Sequence, residues 1–216
     1  MRLVALFCVL LTAACSSCAG VSTRPVEYAS VAAAIRDRSS VRIIAECADG
    51  RTKLGSGVAV SSRHILTADH VTWCDEAEAF GYTVVLFDGS TATMILDRRA
   101  GSGVDTALLV AAGFEHPFRT WASVGAAPRK DDQLCYTAGD GHLAVRTTHC
   151  GPYTSFTAGG EVLDVVAVHG APGNSGAGIF NEFGELVGIL YAGAFRPGYD
   201  YWIAYEAARK WRHLIP

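Results

Sequence analysis

Ser175 stands in Gly173-Asn174-Ser175-Gly176, among turn-forming residues and just ahead of the apolar run Ala177-Gly178-Ile179-Phe180. A hydroxyl so placed is a candidate nucleophile. At neutral pH it is a poor one, and needs a base to take its proton and a third group to hold that base in the right tautomer. Two upstream stretches carry those types. His70 closes Leu66-Thr67-Ala68-Asp69-His70, and Asp105 opens the apolar run Thr106-Ala107-Leu108-Leu109-Val110. The chemistry this set offers is acyl transfer, with His70 as general base, Asp105 as its orienter and Ser175 as the attacking group. The backbone N–H groups of Gly173 and Ser175 add donors that can converge on a developing oxyanion, since Gly173 reaches conformations closed to other residues. Taken singly, each has a plain reading: a polar loop for Ser175, a buried structural histidine for His70, a turn cap for Asp105. Together they supply nucleophile, base and orienter. Asp88, Asp97 and Asp164 open no comparable strand, and His116, His142, His149 and His213 are assigned no role.

The order His, Asp, Ser lets the first two sit on one lobe and the serine on a second, facing across a cleft. The intervening sequence has the punctuation for this. A short helical stretch at 31–38 is followed by strand-like runs at 41–47, 54–60, 82–87, 91–96 and 106–110, separated by Asp49-Gly50, Asp88-Gly89 and Gly101-Ser102-Gly103. A second series covers 133–137, 143–149, 162–168, 176–180, 186–191 and 199–204, with turns at Gly139-Asp140-Gly141 and Phe183-Gly184. Residues 114–130, with Pro117 and Pro128 and little periodicity, form the crossover. Residues 205–214 have helical composition, with Ala207, Ala208, Trp211 and Leu214 on one face. Many short strands in two sets, closed by one helix, predict an all-β chain of paired barrels. The expected boundaries are 41–113 for the first barrel, 131–204 for the second and 205–214 for the helix.

By these three segments and their order, residues 41–214 resemble a trypsin-like serine protease of the chymotrypsin fold, in the bacterial HtrA-like branch and without a PDZ domain. Thr67-Ala68-Asp69-His70 matches the family's T-A-x-H segment, Asp105-Thr106-Ala107-Leu108-Leu109 its D-I-A-L-L segment, and Gly173-Asn174-Ser175-Gly176 its G-[DN]-S-G segment. The resemblance implies two six-stranded antiparallel β-barrels with a cleft between them and a C-terminal helix. It implies a serine endopeptidase with His70, Asp105 and Ser175 as triad, Gly173 and Ser175 as oxyanion donors, and a protein or peptide as substrate. No cofactor and no metal are called for.

Departures from the family pattern carry information. Asn174 is neutral where the zymogen branch has an aspartate, and no Arg-Ile-Val-Gly-Gly activation site is present, so activation by an inserted N-terminus is not expected. Ala177 stands where a glycine is usual. His169 occupies the position that lines the floor of the primary pocket, and Leu190, Tyr191 and Ala192 its wall. Arg- and Lys-directed cleavage is therefore not expected. A catalytically silent scaffold lipoprotein of the same fold is the first alternative. An α/β-hydrolase esterase is the second, and it conflicts both with the missing G-x-S-x-G elbow and with the order of the three groups.

Residues 1–19 read as a signal peptide: Arg2, then an apolar run from Leu3 to Ala14, too short for the about 20 residues of a membrane span. Thr12-Ala13-Ala14-Cys15 resembles a bacterial lipoprotein box that would lipidate Cys15, while simple cleavage after Ala19 is the competing reading. Residues 20–40 form a linker and short N-terminal segment. Either leader predicts an exported protein, periplasmic, membrane-anchored or secreted, which touches a membrane only through the lipid. Net charge of −3 with 18% charged residues points to no nucleic-acid partner. Four cysteines remain in the body, Cys47, Cys74, Cys135 and Cys150, and suggest two disulfides. Three connectivities are open. The sequential one crosslinks each half locally, and Cys47 and Cys74 bracket His70 much as a family disulfide does. A zinc site from Cys135, His149 and Cys150 is the weaker alternative, having adjacent ligands and no CxxC pair.

Overall fold

Alternation of buried and exposed side chains sets the strands of the first lobe. In β1 (Ser40–Glu46), Val41, Ile43 and Ala45 are buried while Arg42, Ile44 and Glu46 are less so. The computed structural model of the chain describes residues 30–139, 146–158, 161–168, 170–194 and 202–216. After β1 come β2 (Thr52–Ala59), β3 (His64–Thr67), a small hairpin of β4 (Trp73–Cys74) and β5 (Ala77–Glu78), then β6 (Gly81–Val85), β7 (Thr91–Arg99) and β8 (Ala107–Ala111). All but the hairpin close into an antiparallel barrel in the order β1-β2-β3-β8-β7-β6. A second closed barrel is built from β9 (Gln133–Gly139), β10 (Arg146–Ala158), β11 (Glu161–Val166), β12 (Gly178–Phe180), β13 (Leu186–Ala194) and β14 (Trp202–Ala207), in the order β10-β11-β14-β13-β12-β9.

Among the described residues, three apolar clusters hold the fold together. One fills the first barrel around Ile43, Ile65, Val71 and Met94, and one fills the second around Leu134, Tyr136, Ile179 and Tyr205. The third belongs to neither: Val58, Leu66 and Leu108 of the first barrel meet Phe180, Leu186 and Ile189 of the second, with Trp211 and Leu214 of the C-terminus. The crossover runs along this seam. Its Ala122 N–H donates to Ala59 O at 2.9 Å, while Leu186 N–H donates to Ser123 O at 2.8 Å. At the N-terminal end, α1 (Ser30–Ser39) leans on the second barrel, where Thr137 Oγ1–H donates to Asp37 Oδ1 at 3.0 Å, and then runs straight into β1 of the first.

Two differences from the sequence expectation have clear causes. The first barrel gains its sixth strand at His64–Thr67, only four residues long, which pairs with β8 from His64↔Val110 to Thr67↔Ala107. The C-terminal helix begins at Ala208 rather than 205 and lasts to Trp211, continued by a 3-10 turn at Arg212–Leu214. Tyr205, Glu206 and Ala207 stay in β14 because they pair with Leu190, Ile189 and Gly188. Gly188 makes room for this, since a Cβ there would lie 2.0 Å from the Tyr205 ring. Ladder pairing and ring packing thus override the helical propensity of this short run.

Candidate active site

His70 lies in a 3-10 turn, Asp69–Thr72, directly after β3. Asp105 lies two residues before β8, the strand that pairs with β3, so the two are neighbours by register. The contact is double. Asp105 Oδ2 is 2.6 Å from His70 Nδ1, and Asp105 Oδ1 accepts the His70 backbone N–H at 2.8 Å. A carboxylate at Nδ1 holds the proton on that nitrogen and leaves Nε2 as the acceptor. The main-chain bond fixes the backbone beneath the ring as well.

The histidine turn is held from further sides that the sequence alone does not reveal. Lys53 Nζ donates to His70 O at 2.6 Å and to Trp73 O at 3.2 Å, capping the carbonyls at the end of the turn. Tyr82 Oη–H donates to Thr72 O at 3.3 Å, and burial pushes this phenol up to about 12, so it remains a donor. Arg99 bonds Asp69 at 2.7 Å and Glu78 at 3.0 Å, and its guanidinium lies 4.8 Å over the Trp73 ring. Cys74, just past the turn, is disulfide-bonded to Cys47.

Ser175 is the first central residue of the second of two consecutive β-turns that share Asn174. Asn174 N–H donates to Ala171 O at 3.1 Å, with Pro172 and Gly173 as central residues, and Ala177 N–H donates to Asn174 O at 3.0 Å, with Ser175 and Gly176. Gly173 has φ +91° and Gly176 φ +89°, the left-handed values that the third position of a type II turn requires. Among the described residues neither the Gly173 nor the Ser175 N–H has an acceptor, while the carbonyls of both are engaged.

What engages those carbonyls is the first barrel. Ser56 of β2 donates its N–H to Ser175 O and its hydroxyl to Gly173 O, both at 2.8 Å, while Thr67 Oγ1–H donates to Ser56 O at 2.7 Å. The fit is backbone on backbone. A Cβ on Gly176 would lie 2.1 Å from Ser56 O, 2.3 Å from Thr67 Oγ1 and 3.0 Å from Ala68 N. The serine turn is thereby docked two to three residues upstream of His70. A signal for this existed in Gly55-Ser56-Gly57, because glycine inside a strand marks close approach of another backbone.

The other expected positions divide. Leu190 is buried, and its N–H and C=O bond Ala177 O and the Gly176 N–H at 2.9 and 2.7 Å. A bulge between Leu190 and Ala192 takes Tyr191 out of the ladder, and Tyr191 packs against the core of the first barrel. Ala192 is half-buried beside it. His169 and Cys15 lie outside the described residues. Cys135 and Cys150 are joined to each other across β9 and β10, which leaves neither as a zinc ligand. Among the described residues, no helix is long and apolar enough to cross a membrane.

The comparison with known families agrees with this architecture. Residues 55–189 match the trypsin-like peptidase domain, and the chain belongs to that family. No curated protein matches it. Among solved structures, the HtrA-type protease AlgW with a tripeptide superposes with a TM-score of 0.67 at 22% identity, over 85% of this chain and 61% of the other. A serine endoprotease from Yersinia pestis gives 0.62 at 23%, over 83% and 63%, and an active-form protease from M. tuberculosis gives 0.65 at 14%, over 85% and 83%. The chain thus spans about three-fifths of the length of the HtrA-type structures it resembles. At these identities the likeness is one of fold.

Proposed function

We propose that the protein is a serine endopeptidase that cleaves peptide bonds through an acyl-enzyme. Asp105 orients His70, whose Nε2 takes the Ser175 proton as Oγ attacks the scissile carbonyl and later returns it to the leaving amine. The Gly173 and Ser175 N–H groups receive the oxyanion, a contribution of about 10²–10³ in rate per donor in such sites. The observation that carries the reading is the two-point hold of Asp105 on His70, combined with a serine turn docked on Ser56 and Thr67 of the same barrel. Substrate lies between the barrels, with Tyr191, Ala192 and Leu190 on one wall; the family resemblance assigns the pocket floor to position 169, a histidine in this sequence.

The two disulfides fit an oxidising compartment, in keeping with export under the leader at residues 1–19 and with a lipid on Cys15 or cleavage after Ala19. The test is an active-site fluorophosphonate probe on the folded protein. Wild type is expected to be labelled and Ser175→Ala not; absence of labelling in folded wild type favours the silent scaffold.

A further inference from the structure

The residue between the two turns has a buried side-chain partner. Asn174 is 2% exposed, and its Nδ2 donates to Tyr136 Oη at 3.1 Å, while Tyr136 is fully buried in β9. Asn174 is also the shared corner of both turns, giving its N–H to the first and its C=O to the second. Rotation at Asn174 therefore changes how the Gly173 and Ser175 amides are aimed relative to one another. Ser56 holds the adjoining peptides, Gly173–Asn174 and Ser175–Gly176, from the first barrel through their carbonyls, and Tyr136 reaches the corner between them from inside the second.

Tyr136 is itself firmly placed. Its backbone pairs with Ile179 of β12 on one side and with His149 of β10 on the other. The His149 ring stacks on it with centroids 5.0 Å apart and planes 21° from parallel, and the next cross-strand pair is the Cys135–Cys150 disulfide. A phenol so fixed delivers its oxygen to one point. The hydroxyl accepts from the buried amide at 3.1 Å, and this bond helps to set which way Asn174 turns.

We propose that Tyr136 is a positioning residue of the peptidase, acting through Asn174 to hold the Gly173 and Ser175 N–H groups aimed at the oxyanion. This rests on the serine-peptidase reading above. A donor pair displaced by a fraction of an ångström still binds substrate but serves the transition state poorly, so the effect falls on kcat and not on KM.

The experiment uses Tyr136→Phe, which removes one oxygen and keeps the ring, together with Asn174→Ala and the double variant. Steady-state cleavage of a fluorogenic peptide and the affinity for a peptide boronate are read. Tyr136→Phe is expected to lower kcat by about 10- to 100-fold with KM within about 3-fold, to weaken the boronate by a similar factor, and to be no worse when added to Asn174→Ala. Asn174→Asp tests the same contact without touching Tyr136. Its carboxylate can accept from the Tyr136 hydroxyl, and activity within about 10-fold of wild type is expected. A Tyr136→Phe enzyme with kcat within about 3-fold of wild type, or effects that multiply in the double variant, overturns the proposal. So does Asn174→Asp failing as badly as Asn174→Ala. A folded wild type that neither cleaves peptides nor takes the fluorophosphonate overturns the peptidase reading first, and is told apart from these outcomes by that fact.

Discussion

Replacing Gly176 with alanine attacks the join between the barrels at one atom. The added Cβ would lie 2.1 Å from Ser56 O and 2.3 Å from Thr67 Oγ1, and the backbone there has φ +89°. To regain an ordinary contact of about 3.5 Å, the serine turn has to lift from the first barrel by more than about 1 Å. Left-handed backbone costs a residue with a Cβ about 1–2 kcal/mol. Loss of the 2.8 Å bond from Ser56 N–H to Ser175 O adds about 1 kcal/mol. The sum, about 2–3 kcal/mol, corresponds to a Tm lower by roughly 5–10 °C for a domain of this size. Activity should suffer more than stability, because a misplacement of about 1 Å costs about 10²-fold in rate. Gly89→Ala is the control: Gly89 has φ +83° in the turn between β6 and β7, with nothing within 4 Å of its Cβ position. It should show the backbone cost alone. Thermal melts and kcat/KM on a fluorogenic peptide decide the matter. If Gly176→Ala retains activity within about 3-fold of Gly89→Ala, the seam does not position the serine and the reasoning fails.

Four further outcomes are expected. Asp105→Asn keeps an acceptor for the His70 N–H but presents a donor to Nδ1, forcing the wrong tautomer. kcat should fall by about 10⁴ with little change in melting temperature, and a loss below about 10-fold on a kinetic assay would contradict the role of Asp105. Removal of Cys47–Cys74, whose ends are 27 residues apart, should cost about 3.5 kcal/mol in urea titrations, and removal of Cys135–Cys150, 15 apart, about 3 kcal/mol. Burial holds the His64 imidazole below its ordinary value, with Arg63 and Arg98 adding to this and Asp97 opposing it. Its stabilising contribution is present above about pH 6.5 and is lost as pH falls through the folded pKa, so His64→Gln should flatten the acid side of a urea-midpoint profile. A peptide-library profile should show Arg and Lys as poor residues at the cleaved bond, since the position that the family resemblance assigns to the pocket floor carries His169 and no carboxylate; efficient cleavage after Arg would refute that.

The residues proposed to do the chemistry were the most legible part of the chain, because each sits in a short local pattern: Thr67-Ala68-Asp69-His70, Asp105-Thr106-Ala107, Gly173-Asn174-Ser175-Gly176. Their supports were not, because these meet only once strands far apart in sequence close into barrels. Lys53 reaches His70 from β2, Arg99 reaches Asp69 from β7, and Tyr136 reaches Asn174 from β9. No local spacing encodes such meetings. The strand at His64–Thr67 was missed as an element because four residues show too little alternation, although its last residue was already recognised within the histidine motif. The late start of the C-terminal helix follows from a single space above Gly188, which composition does not display.

The cluster shared by the barrels also bears on the order of biosynthesis. Val58, Leu66 and Leu108 leave the ribosome well before Phe180, Leu186 and Ile189, and Trp211 and Leu214 follow later still. A nascent chain folding N-terminal part first can close the first barrel and pair His70 with Asp105 early. The proposed base is then in place before its serine. The serine turn reaches Ser56 and Thr67 only when the second barrel seats on this shared cluster, so under the proposed function hydrolytic competence cannot precede synthesis of the segment through Leu214 and follows the burial of the first barrel's own unfolded segments.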